Sequence, residues 1–129
     1  EFLRRDVLNQ ALRNTDNHAR NHAVQRLPDG RVQLTPIYDF APMFLDPELV
    51  PRSTHWVDAT GRRLHAWRDV LDALDLPGPE RDAARNTLRA FAGVVERLPE
   101  TMQAQGVDAG VIDACRASID HQAAQLGAL

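Results

Sequence analysis

Lysine is missing from this 129-residue chain; all 15 basic residues are arginine. Any chemistry that needs a lysine ammonium therefore cannot be completed by these residues alone. Cysteine is nearly missing too. The lone Cys115 has no second thiol for an internal disulfide and fits a cytoplasmic protein. It lies on an apolar helical face, where a small buried hydrophobe is expected. No apolar run approaches the roughly 20 residues of a membrane span, and no secretory leader is visible. A basic excess is also lacking. The net charge is −3 and the isoelectric point is near 5.9, which argues against a nucleic acid or an anionic membrane as main partner. The chain opens Glu1-Phe2-Leu3 without an initiator methionine, so a piece of a longer polypeptide is expected.

What is present is ordinary globular material, 43% hydrophobic and 26% charged. One domain of this length buries roughly two-thirds of its unfolded surface. Leu3, Val7, Leu8, Ala11 and Leu12 recur at helical steps and predict a helix over 2–13, with Arg4, Arg5, Asp6 and Arg13 on the opposite face. Two short runs follow, 22–27 and 31–37, the second alternating. Pro28-Asp29-Gly30 between them is a turn sequence, so a β-hairpin is expected. Residues 42–62 read as irregular, with a possible helical turn over 45–50. Helices are then predicted through Leu64–Leu74, from Pro79 to Leu98, over Glu100–Gln105, and after an Asp108 cap to about Leu126. The fold class expected is mainly α (α+β) with one small hairpin. Residues 1–42 carry the chemistry, 43–62 form an irregular segment, and 63–129 form a helical bundle.

Asn14-Thr15-Asp16-Asn17-His18-Ala19-Arg20-Asn21 concentrates hydrogen-bonding groups in eight positions, a stretch expected to bury nothing. Asn21 and Asp39 are equidistant from Gly30, the predicted hairpin tip, so the fold-back brings them together at its open end. Asp16 is one short loop away. Two carboxylates and a carboxamide would then converge, oxygen donors of the kind Mg²⁺ prefers. The arrangement resembles that of protein kinases, where an aspartate takes the hydroxyl proton and an asparagine and a second aspartate hold the metal. Asp39-Phe40-Ala41 departs from the usual third-place glycine. His18 stands where many protein kinases place a lysine, and Asp-x-His-x-x-Asn is similar instead to atypical kinases.

The nearest resemblance is to the HipA family, the serine/threonine kinase toxins of bacterial toxin–antitoxin pairs. Asn14 through His22 is similar to that family's catalytic loop, and Leu34-Thr35-Pro36-Ile37-Tyr38-Asp39-Phe40-Ala41-Pro42 to its metal-binding segment. The resemblance covers residues 14–42 well, fits the first helix, and fits the helical tail loosely. It implies a C-terminal kinase lobe using ATP and Mg²⁺, with Asp16 as catalytic base and His18 buttressing the loop. Asn21 and Asp39 would bind Mg²⁺ and, through it, the ATP phosphates. It further implies a protein substrate with a Ser or Thr acceptor and a small HipB-like DNA-binding antitoxin as partner. The family's phosphate-gripping lysine and covering loop are expected in an N-terminal lobe missing from these residues. The chain alone should have negligible kinase activity.

Three rival readings stay open. A small molecule or lipid could be the phosphoryl acceptor. The chain could instead be a non-catalytic helical interaction domain, its polar loop only capping and turning. His18 and His22, four apart, could be zinc ligands on one helical face. Tyr38 and Phe40 are expected to pack around Asp39 and orient it.

Overall fold

In the computed structural model, which describes all residues from Glu1 to Leu129, the chain is mainly α-helical with a single two-stranded hairpin. Helix α1 spans Phe2–Ala11 and is followed by one 3-10 turn at Ala19–Asn21. Strands β1 (Val24–Arg26) and β2 (Val32–Leu34) pair antiparallel in the register Val24 with Leu34, Gln25 with Gln33 and Arg26 with Val32. Gly30 turns the chain at φ +86°, a conformation that costs an L side chain but not glycine. The helices α2 (Trp67–Ala73), α3 (Gly78–Glu96), α4 (Leu98–Ala104) and α5 (Ala109–Gly127) complete the chain.

The expected hairpin and helices are all present, and their ends follow local chemistry. Pro79 sits in the first turn of α3, where its missing N–H has no intrahelical role. Pro99 likewise lies in the first turn of α4, so it starts that helix at Leu98 rather than merely interrupting the one before. Asp108 caps α5 by accepting a bond from Gly110 N at 2.8 Å.

Helix α5 is the centre of the core, packed between α1 and α3. Val7 and Ala11 of α1, Val70 and Leu71 of α2, Leu88 and Val95 of α3, and Cys115, Ile119 and Leu126 of α5 form one buried apolar cluster. Cys115 is buried, as its apolar surroundings predict. Trp67 is buried against the same cluster and donates its indole N–H to Gln122 Oε1 at 2.7 Å. No helix is long and apolar enough to cross a membrane.

Two expectations fail here. Arg5 and Asp6 of α1, assigned to the solvent face, are buried. Residues 42–62 are also more ordered than "irregular" implies. A 3-10 turn covers Met43–Leu45, Val57 bridges Arg63, and between them Asp58 accepts bonds from Thr60 and Arg62 in a tight turn. Polar side chains closing local loops, rather than apolar periodicity, organise this stretch.

Candidate active site

Helix α1 ends where Arg13 takes a positive φ of 55° and Asn14 N bonds back to Asn9 O at 2.8 Å. The chain then runs without helix or strand until the 3-10 turn. This polar stretch is not wholly exposed as expected: Asn14 is 3% exposed and Asn17 only 2%. Hydrogen bonds hold both, although the Asn14 Oδ1 has no partner. Asn14 Nδ2 donates to Asn9 Oδ1 at 3.0 Å. Asn17 is bonded to Thr54, and with its amide turned to satisfy both ends its Oδ1 also accepts from Arg52 Nη2 at 3.0 Å.

Asp16, Asn21 and Asp39 line one small polar cleft, together with Arg5, Asn9 and Asn14. The hairpin supplies the convergence, since its strands return Asp39 to the open end where Asn21 begins β1's approach. Asn21 Nδ2 donates to the Asp16 backbone carbonyl at 2.9 Å, which locks the two loop residues together and leaves Oδ1 as the free end of the carboxamide. Asp39 has φ +52°, the left-handed region that a non-glycine residue enters only when its surroundings hold it there.

Three long-range bonds do that holding. Arg5, deep in α1, donates to the Thr35 carbonyl at the start of the Pro36–Asp39 run. Tyr38 donates its hydroxyl to the Arg20 carbonyl at 2.7 Å, and Thr35 N bonds Ala23 O at 2.9 Å. Tyr38 is therefore an exposed tether, not the packing residue its ring suggests. Phe40 is half-buried and lines the cleft beside Asp39.

His18 stands outside the cleft lining, with Nε2 3.4 Å from Asp16 Oδ1. That places it beside the carboxylate it was expected to support. His22 lines the cleft, and its ring meets that of Phe2 at a tilt of 59° with centroids 4.9 Å apart. Burial first, then the neighbouring Arg5 guanidinium, pushes the His22 pKa below the ordinary value of 6.5. The two histidines do not share a helical face, because only the single 3-10 turn lies between them. No group of three or more His, Cys, Asp and Glu side chains is clustered as a metal site, which removes the basis of the zinc reading.

Sequence reasoning missed Arg5 and Asn9 in the cleft wall. Arg5 and Asn9 lie four apart on α1, and that spacing was the available signal. The donor set suits a hard cation: two carboxylates and a carboxamide oxygen around about 10 Å³ of free space, room for roughly one water-sized sphere. The two carboxylates bring two negative charges, enough to balance a divalent ion.

Comparison with known protein families gives one match. The model of the HipA-like C-terminal domain matches residues 1–102, which include every residue of the cleft. No curated protein and no solved structure matches the chain. With four-fifths of its length matched, and with the paired loop and hairpin segments in place, the chain belongs to the HipA-like C-terminal domain family.

Proposed function

We propose that the chain is the catalytic C-terminal lobe of an ATP- and Mg²⁺-dependent kinase that phosphorylates a serine or threonine hydroxyl. The observation that carries this reading is the shared cleft of Asp16, Asn21 and Asp39, built from segments 18 residues apart across a hairpin. Asp16 orients the acceptor hydroxyl and takes its proton, a role that demands exact placement. Asn21 Oδ1 and the Asp39 carboxylate hold the metal. Bound there, Mg²⁺ supplies the charge neutralisation that the phosphates require. His18, beside Asp16, limits the carboxylate's rotation.

Arginine cannot replace the compact lysine ammonium at the nucleotide phosphates without changing the geometry. The chain lacks lysine, so phosphate gripping falls to a lobe outside these 129 residues. Membership of the family supports two further parts of the reading: a small DNA-binding antitoxin as partner and the cytoplasm as compartment.

The test is a titration of the chain with Mn²⁺, a paramagnetic substitute for Mg²⁺, followed by line broadening of backbone amides. Broadening centred on residues 16, 21 and 39 is expected. Asp39→Asn should weaken it about tenfold or more, since altering even outer-shell partners of a metal costs that much. Equal binding by wild type and variant would remove the catalytic reading. A robust ATP-dependent phosphotransfer by the isolated chain would contradict the assignment of phosphate gripping to another lobe.

A further inference from the structure

Residues 50–56 cross behind the catalytic loop and are tied to it on both sides of Asp16. Thr15 donates its hydroxyl to the Val50 carbonyl at 2.6 Å. Asn17 is bonded to Thr54, whose Oγ1 lies 2.8 Å from the Asn17 backbone carbonyl. The strap itself is anchored in the body of the protein. Arg52 pairs with Asp6 of α1, and Trp56 Nε1 donates to the same carboxylate at 2.8 Å. Trp56 also meets Trp67 edge-on, centroids 6.5 Å apart, which joins the strap to the core.

Thr15 and Asn17 are both bonded to the strap, and Asp16, between them, lines the cleft. The Asp16 carbonyl in turn holds the Asn21 carboxamide at 2.9 Å. A displacement at Thr54 would thus pass through Asn17 to Asp16 and onward to Asn21, two of the three cleft donors.

We propose that Thr54 is a positioning residue for the cleft, its hydroxyl fixing Asn17 so that Asp16 and Asn21 are held at the geometry the metal and the acceptor hydroxyl require. This rests on the kinase reading above. Asn17 is 2% exposed, so losing the Thr54 hydroxyl takes away the bond to the Asn17 backbone carbonyl and one of the two partners of the buried amide oxygen, leaving Arg52 alone to orient it.

The experiment compares wild type, Thr54→Val and Thr54→Ser in the Mn²⁺ titration, each variant's folding checked by its thermal transition. Thr101→Val serves as a control, because Thr101 makes the same kind of hydroxyl-to-backbone bond, at 2.9 Å to Arg97 O, far along the chain in α4. Thr54→Val should bind Mn²⁺ about five- to tenfold more weakly, the scale of one buried hydrogen bond. Thr54→Ser should restore binding to within about twofold, and Thr101→Val should leave it unchanged. Should Thr54→Val not fold, Thr54→Ala replaces it with the same expectation. Wild-type affinity in the folded hydroxyl-free variant, or equal weakening in the serine variant, overturns the positioning role while the kinase reading stands. If wild type itself shows no broadening at residues 16, 21 and 39, both fall together.

Discussion

At the helical end Leu71, Leu88, Val95, Ile119 and Leu126 interlock in a dry cluster. At the hairpin end Val24 and Val32 lie 69% and 67% exposed, and the buried polar groups are Arg5, Asp6, Asn9, Asn14 and Asn17. One end is held by removal of apolar surface from water, which is forgiving of direction. The other is held by directed hydrogen bonds, each of which fixes an angle as well as a distance. The difference suits the work assigned to each. A cleft that aligns two carboxylates and a carboxamide needs fixed directions, whereas the scaffold beneath it needs only cohesion. Asp39 can remain at a positive φ because Arg5, Tyr38 and Thr35 over-determine the chain around it.

The largest effect should come from the helical end. Leu88→Ala removes a side chain that is 1% exposed, and the resulting cavity should cost about 3 kcal/mol in denaturant unfolding. Mn²⁺ affinity at low denaturant should stay unchanged, since Leu88 touches none of the cleft. Asp6→Ala is next, at about 2–3 kcal/mol. It removes the only acceptor of the Trp56 N–H and the carboxylate that pairs with Arg52, which keeps its contact to Asn17 Oδ1. Arg52 remains one-fifth exposed, and water offsets part of the loss. Unlike Leu88→Ala, this variant should weaken Mn²⁺ binding as well. If both variants affect metal binding equally, the two ends are not separable in the way drawn above.

A smaller effect follows from His22. Its pKa is held below the ordinary 6.5 by burial and by Arg5, with His18 acting the same way and Asp6 opposing. The unfolded chain therefore takes up the proton first as pH falls. Stability from this group is complete above the unfolded value and is lost as pH drops below it toward the folded value. Wild type should lose a few degrees of melting temperature between about pH 7 and about pH 5. In His22→Gln that slope should be shallower. An unchanged slope would mean that other groups carry the acid sensitivity.

The same contrast explains what could be read from the sequence. Leu88 with Val95, and Ile112 with Ile119 and Leu126, repeat at seven-residue steps, so α3 and α5 were legible from periodicity alone. Asp16, Asn21 and Asp39 were legible for another reason: the tip at Gly30 lies midway between Asn21 and Asp39, and a hairpin converts that symmetry into proximity. Burial of Asn14 and Asn17 was not legible. Their environment depends on the strap at 50–56 and on α1, and a window of a few residues sees only a polar, apparently exposed run. Asp6 likewise looks like a solvent-face acid until Arg52 and Trp56, 46 and 50 positions later, are brought to it. Helix α5, legible by its periodicity, begins at Ala109, beyond the matched residues 1–102, yet forms the middle of the core.

The smallest expected effect is the sharpest test of the comparison. Register puts Val24, Leu34 and Val32 on one face of the hairpin, and both valines are mostly exposed. Val24→Thr and Val32→Thr keep the β-branched shape that strands favour while replacing a methyl by a hydroxyl. In a packed face that hydroxyl would lose its hydration and cost well over 1 kcal/mol. Here each change should stay within about 0.5 kcal/mol by denaturant unfolding, as for ordinary surface positions. The amide spectrum of residues 14–39 should keep its wild-type pattern outside the immediate neighbours of the substituted residue. A loss above about 1 kcal/mol would mean that the hairpin contributes apolar cohesion after all. The hairpin end would then hold its shape by the same means as the helices, and the directional bonds around Asp39 would no longer be its distinguishing support.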